Sequence, residues 1–188
     1  MNKALKAGRT PALVVALLQT LEDAGLSAHF TVVGTHALYA YETAAGVRIV
    51  QGALATQDVD LLWDARTRVQ FMADMTKVDA SMLEVLQRVD PSFKRKYRHN
   101  ETAINDKGFE VDFLTASVLT DAPQFEHLVI SATGRMARMR TVAPRSFVEF
   151  KRWMGEAPKR PEAKRRRDLR QADVVQLLIK EGLLPAPG

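Results

Sequence analysis

A glycine turn between an apolar strand and a helix, followed on the next strand by two carboxylates two residues apart, constrains this chain more than any other feature. The turn is Val33-Gly34-Thr35 and the strand is Asp58-Val59-Asp60-Leu61-Leu62. Side chains two apart on a strand share a face, so Asp58 and Asp60 project together while Val59 and Leu61 face the other way. Adjacent carboxylates repel unless a cation neutralises them. A third acid, Asp112, lies in Phe109-Glu110-Val111-Asp112-Phe113-Leu114, with Glu110 on the same face as a spare. Such a cluster suits Mg²⁺ or Mn²⁺, hard cations that take carboxylate oxygens and share them with phosphate. Backbone amides at a helix N-terminus favour a phosphate group. Gly34 permits close approach there, and the Thr35 hydroxyl can donate to a phosphate oxygen. The same two residues also suit a plain strand-to-helix turn with Thr35 as its cap. His36, next to the turn, is a further candidate for phosphate contact. Taken together, turn and carboxylates imply metal-dependent chemistry on a nucleoside triphosphate, with two ions sharing the three acids.

Helical and strand periodicities place these motifs. Helices are expected at about Pro11–Ala24, with Thr10 as N-cap, and at about Thr35–Ala45, ending at Gly46. Further helices are expected near Ala65–Met75, capped by Asp64, and near Ser81–Val89. Two more follow Pro144 and Pro161. Strands are expected at His29–Val33, Gln57–Trp63, His127–Thr133 and Arg138–Val142. Lys94–Ile104 and Phe109–Leu114 read as a hairpin across Asn105-Asp106-Lys107-Gly108, a good turn sequence. Residues 47–56 read as a loop or short hairpin. The order implies an α/β (α+β) fold, a mixed sheet flanked by helices with a C-terminal helical part.

Charge is unevenly distributed. The chain of 188 residues carries 27 Lys+Arg and 22 Asp+Glu. Residues 151–188 hold 10 of the former and 5 of the latter, so the excess lies there. A basic segment beside a neutral domain implies a polyanionic partner, triphosphate or nucleic acid, or simply a solvated helix face. On the last helix Lys164, Arg167, Asp168 and Gln171 share one face, suited to lining a cleft. Lys151, in Phe150-Lys151-Arg152-Trp153, sits on a largely apolar helix and needs a partner. The absence of cysteine excludes disulfides and thiolate metal sites and fits a cytoplasmic protein. No apolar run approaches the ~20 residues that span a bilayer. Met1–Lys6 leads into an apolar stretch, but Gln19, Glu22 and Asp23 continue its helical pattern and no cleavage site follows, so a signal peptide is not expected. The four histidines lack metal-ligand spacing, so no structural zinc is expected.

Gly34-Thr35, Asp58-x-Asp60 and Asp112 together resemble the nucleotidyltransferase fold of the DNA polymerase beta superfamily. The pattern there is a Gly-Ser or Gly-Gly turn, then Asp-x-Asp/Glu, then one acid on a later strand. Thr35 keeps the hydroxyl, and residues 46–56 resemble an inserted loop. Val33–Glu42, Thr56–Asp64 and Lys164–Ala172 are similar to the motifs of a bacterial group of uncharacterised proteins with that fold. The resemblance implies a nucleotidyltransferase-like domain over 1–142 and a basic helical segment over 143–188. It implies transfer of a nucleoside monophosphate from an NTP to a hydroxyl, with release of pyrophosphate. Asp58, Asp60 and Asp112 would hold the metals and carry the catalysis. Gly34 and Thr35 would hold the β- and γ-phosphates, and Lys151, Lys164 and Arg167 would contact the triphosphate. The acceptor stays open between RNA or tRNA, a protein side chain and a small molecule, with the basic tail favouring RNA. Two alternatives use the same fold without catalysis: a nucleic-acid-binding module, and one half of a toxin–antitoxin pair.

Overall fold

The computed structural model describes residues 8–54, 56–114, 119 and 121–185; Met1–Lys6 lie outside them. Seven strands form one mixed sheet: β1 (Phe30–Val33), β2 (Asp58–Trp63), β3 (Lys94–Lys96), β4 (His99–Ile104), β5 (Glu110–Leu114), β6 (Gln124–Ile130) and β7 (Met136–Val142). Their spatial order is β3-β4-β5-β2-β1-β7-β6. β2 runs parallel to β5 and antiparallel to β1, and β1 runs parallel to β7. The expected mixed α/β architecture is therefore present. The strands that carry the candidate residues, β1, β2 and β5, have neighbours on both sides that fix their register.

The helices are α1 (Ala12–Asp23), α2 (Ala37–Ala45), α3 (Gln51–Leu54), α4 (Arg68–Val78), α5 (Met82–Gln87), α6 (Pro144–Glu156) and α7 (Glu162–Lys180). Alternation along β2 buries Val59 and Leu61 on one face of the sheet, opposite to Asp58 and Asp60. On that apolar face, Leu18 and Leu21 of α1 line a space with Phe30, Val32 and Leu61. α6 and α7 pack against each other so closely that a methyl group on Gly155 would stand 2.6 Å from the Leu169 side chain. Residues of α7 that meet the body of the molecule, among them Ala172, Val175 and Leu178, are buried.

Several local expectations change. Thr10 does not cap α1; its backbone amide donates to the Ile130 carbonyl, so it extends along the β6 edge and Pro11 takes the N-cap position. Where 47–56 is expected to be a loop or short hairpin, its described residues contain the single helical turn α3, whose Ala53 and Leu54 are buried. Asp64 precedes a short 3-10 turn, Ala65–Thr67, and its carboxylate accepts the Arg66 amide at 2.9 Å, so α4 starts later and runs on to Val78. The stretch 94–104 divides into β3 and β4 at Arg98, which adopts a left-handed φ of 62°. By contrast, α5 starts as its sequence implies, with a capping box between Ser81 and Glu84.

Candidate active site

Register assembles the carboxylates. Asp60 lies opposite Asp112 across the parallel β2–β5 pair, and Asp58 lies opposite Glu110. All four acids therefore rise from one face of the sheet. One carboxylate oxygen from each of Asp58, Asp60 and Asp112 falls in a cluster whose members lie within 4.8 Å of one another. Glu110 is drawn aside: Lys96 donates to its two oxygens at 2.6 and 2.7 Å, which neutralises the spare acid. Threonines orient two of the others. The Thr102 hydroxyl donates to Asp112 Oδ1 at 2.5 Å, and the Thr56 hydroxyl donates to Asp58 Oδ1.

Gly34 closes the cluster from above. On β1, Val33 pairs with Asp60, which brings the following turn over that carboxylate. Gly34 has a φ of +68°, and a Cβ built on it would stand 2.0 Å from Asp60 Oδ2. Both the backbone conformation and the close approach require glycine. A cavity of about 280 Å³ lies among Phe30, Trp63, Phe71 and Phe113. It opens on the other side of the sheet and holds no carboxylate cluster.

A family model described as nucleotidyltransferase matches residues 12–122 and 117–187. The chain belongs to the nucleotidyltransferase family. No curated protein matches it. Among solved structures it is similar to the antibiotic-resistance factor ANT(2'')-Ia, studied in solution, at 14% identity over 90% of each chain with a TM-score of 0.39.

In this nucleotidyltransferase the cluster is electrostatically loaded. Burial, then Asp58, then Asp112, push the Asp60 carboxyl up to about 7. Lys151 and Arg167 act on it in the opposite sense, so both stand within electrostatic reach of the triad. Lys151 is only 4% exposed, and its ammonium donates to Asp168 Oδ1 at 2.8 Å. Asp168 is fully buried and also accepts from Arg160 Nε at 2.5 Å. Burial lowers the Lys151 pKa, with Asp168 and Asp60 opposing. The partner that Lys151 needs is thus Asp168, and a second cation shares it.

Thr35 is buried, and its hydroxyl accepts from Gln171 Nε2 at 3.1 Å while the same amide donates to the Ala53 carbonyl at 2.7 Å. Gln171 therefore ties α7 to the turn and to α3. Lys164 is exposed on the outer side of α7, whereas Arg167 is half-buried and faces inward. His36 does not reach out of the turn: it is buried between Tyr39 and Phe109, and burial lowers its pKa to about 4, partly offset by Asp58. Thr102 carries no signal in the sequence and becomes a partner of Asp112 only through the β4–β5 register. Arg160, in the proline-flanked break before α7, was equally silent. Thr56 stands two residues before Asp58 and was visible, but only as part of a motif.

Proposed function

We propose that this protein transfers a nucleoside monophosphate from an NTP to an acceptor hydroxyl and releases pyrophosphate. The observation that carries the reading is the convergence of Asp58, Asp60 and Asp112 beneath the Gly34 turn, with Lys151 and Arg167 acting on Asp60 from the side. Three carboxylates are a hard, anionic donor set that fits Mg²⁺ or Mn²⁺. The upward displacement of Asp60 records first its burial and then the repulsion of Asp58 and Asp112, both of which a cation would offset. Asp58, Asp60 and Asp112 would hold the divalent ions. Such ions, when bound, neutralise phosphate charge and acidify a hydroxyl.

The residues of the chain then have distinct tasks. The Gly34 turn, free of a side chain, lets phosphate oxygens approach the backbone beside Asp60. Lys151 and Arg167 place positive charge where the leaving pyrophosphate gains negative charge. The acceptor oxygen attacks the α-phosphorus. The new O–P bond forms as the bond from the α-phosphorus to the α,β-bridging oxygen breaks, and that oxygen leaves with the electron pair. Asp112 takes the hydroxyl proton, its carboxylate being oriented by the Thr102 hydroxyl. A non-catalytic binding module draws no benefit from three clustered acids.

Calorimetry with each of the four NTPs and Mg²⁺ tests this, using the wild type and Asp58→Asn/Asp60→Asn. Metal-dependent binding that is lost in the double variant is the expected result and identifies the donor base. A wild type that binds no NTP overturns the proposal.

A further inference from the structure

Alongside the triad, α7 presents a second feature. A groove of about 610 Å³ is lined by Lys164, Arg166, Arg167 and Arg170 of α7, by Glu162 at its start and by Gly52 of α3. Four cations face one anion, and that anion is already engaged by Arg166. Among the described residues, Lys164 and Arg170 have no acidic partner, and both are exposed. Gly52 makes room for this arrangement: a Cβ there would come within 3.2 Å of Arg170 Nη1. The groove is not isolated from the chemistry. Arg167 lines it and also acts electrostatically on Asp60.

From these observations we infer that the groove holds the phosphate backbone of a single-stranded RNA, whose hydroxyl is the acceptor. This rests on the transferase reading above. From Lys164 to Arg170 the helix rises about 9 Å, at ~1.5 Å per residue. That length spans about three successive phosphates at the roughly 3.4 Å per-strand spacing of stacked nucleotides. The donor triphosphate does not account for the groove, because Lys151 and Arg167 already serve the triad side. Lys164, Arg166 and Arg170 lie on the solvent side of the same helix. A chain of phosphates running along α7 would enter the site past Arg167, which delivers one end of the strand to the carboxylates.

The test uses the full chain and a fluorescein-labelled single-stranded RNA of about 20 nucleotides, long enough to cover sites of this type. Anisotropy is read across a salt titration, and NTP binding is read in parallel by calorimetry. Neutralising two or three phosphates predicts a slope of log K against log salt of about −1.5 to −2. Arg166→Glu/Arg170→Glu should weaken RNA binding at least about tenfold and leave NTP binding unchanged. Both positions are on the surface, and Arg166→Gln/Arg170→Gln should fall between that variant and the wild type. Asp58→Asn/Asp60→Asn should lose NTP and keep RNA. Loss of NTP binding together with RNA binding in the Glu variant assigns the groove to the donor and overturns the inference. So does equal competition by polyglutamate, which would make the groove a site for acidic protein. NTP binding without RNA binding in the wild type overturns this inference alone, whereas RNA binding without NTP binding overturns the transferase reading.

Discussion

At Gly34 two demands meet in one residue, a left-handed backbone and contact with Asp60. Alanine there costs about 1 kcal/mol in backbone strain. Its methyl also drives the Asp60 carboxylate out of the cluster. Gly34→Ala should therefore lower the melting temperature slightly while weakening metal-dependent NTP binding far more, which paired thermal unfolding and calorimetry would show. Asp60 allows a prediction of opposite sign. An acid whose folded pKa is raised to about 7 from 3.8 loses stability as pH rises through that window. Asparagine escapes the cost of a buried charge and the repulsion of Asp58 and Asp112. Metal-free Asp60→Asn should melt above the wild type at pH 8, with the gap closing toward pH 4, while transfer falls by about 10²-fold or more. An asparagine variant less stable than the wild type at pH 8 would contradict the account.

Between elements, the buried junction of α6 and α7 rests on one anion serving two cations. Removing Asp168 leaves Lys151 charged and buried, and removing a single member of such a group costs about 3–5 kcal/mol. Asp168→Asn should show that loss in urea unfolding. Adding Lys151→Met, which deletes the stranded charge, should recover a large part of it. If the two changes are simply additive, the junction is not the coupled unit described here. The proximity of the helices at Gly155 and Leu169 explains why this pair tolerates a buried charge group: the backbones approach closely enough for Asp168 to reach Lys151 on one side and Arg160 on the other.

Across the whole molecule, pH dependence reflects how deeply the turn region is enclosed. His36 is a base whose folded pKa, about 4, lies below its ordinary 6.5. Between those values the unfolded chain binds a proton that the folded chain refuses, so stability rises with pH from about 4 to 6.5 and is complete above. At pH 5 the loss amounts to about 2 kcal/mol. Asp60 works in the opposite direction over an overlapping range, so the contribution of His36 is read as a difference. Urea unfolding at pH 5 and 7.5 should show the wild type losing more stability on acidification than His36→Gln. Equal losses would mean that the ring accepts a proton inside the fold.

Much of this protein was legible locally. Alternation placed Asp58 and Asp60 on one face of an apolar strand, and the Asn105–Gly108 turn announced the strands that deliver Asp112. Periodicity also marked α1, α2, α6 and α7, because burial of one stripe leaves a pattern of fixed spacing. The sequence by itself thus determined most of the elements, the acids and the basic character of the last helix. Only tertiary structure decided which partners those groups have. The β2–β5 register, not spacing along the chain, set Asp112 opposite Asp60, and the β3–β4–β5 pairing brought Lys96 to Glu110. Helix packing chose Asp168 for Lys151 and gave Gln171 to Thr35 rather than to a cleft. Thr10 left its capping position because a strand edge offered its amide a better acceptor. A local pattern records what one segment needs to bury, whereas a pairing depends on which distant segment arrives to meet it.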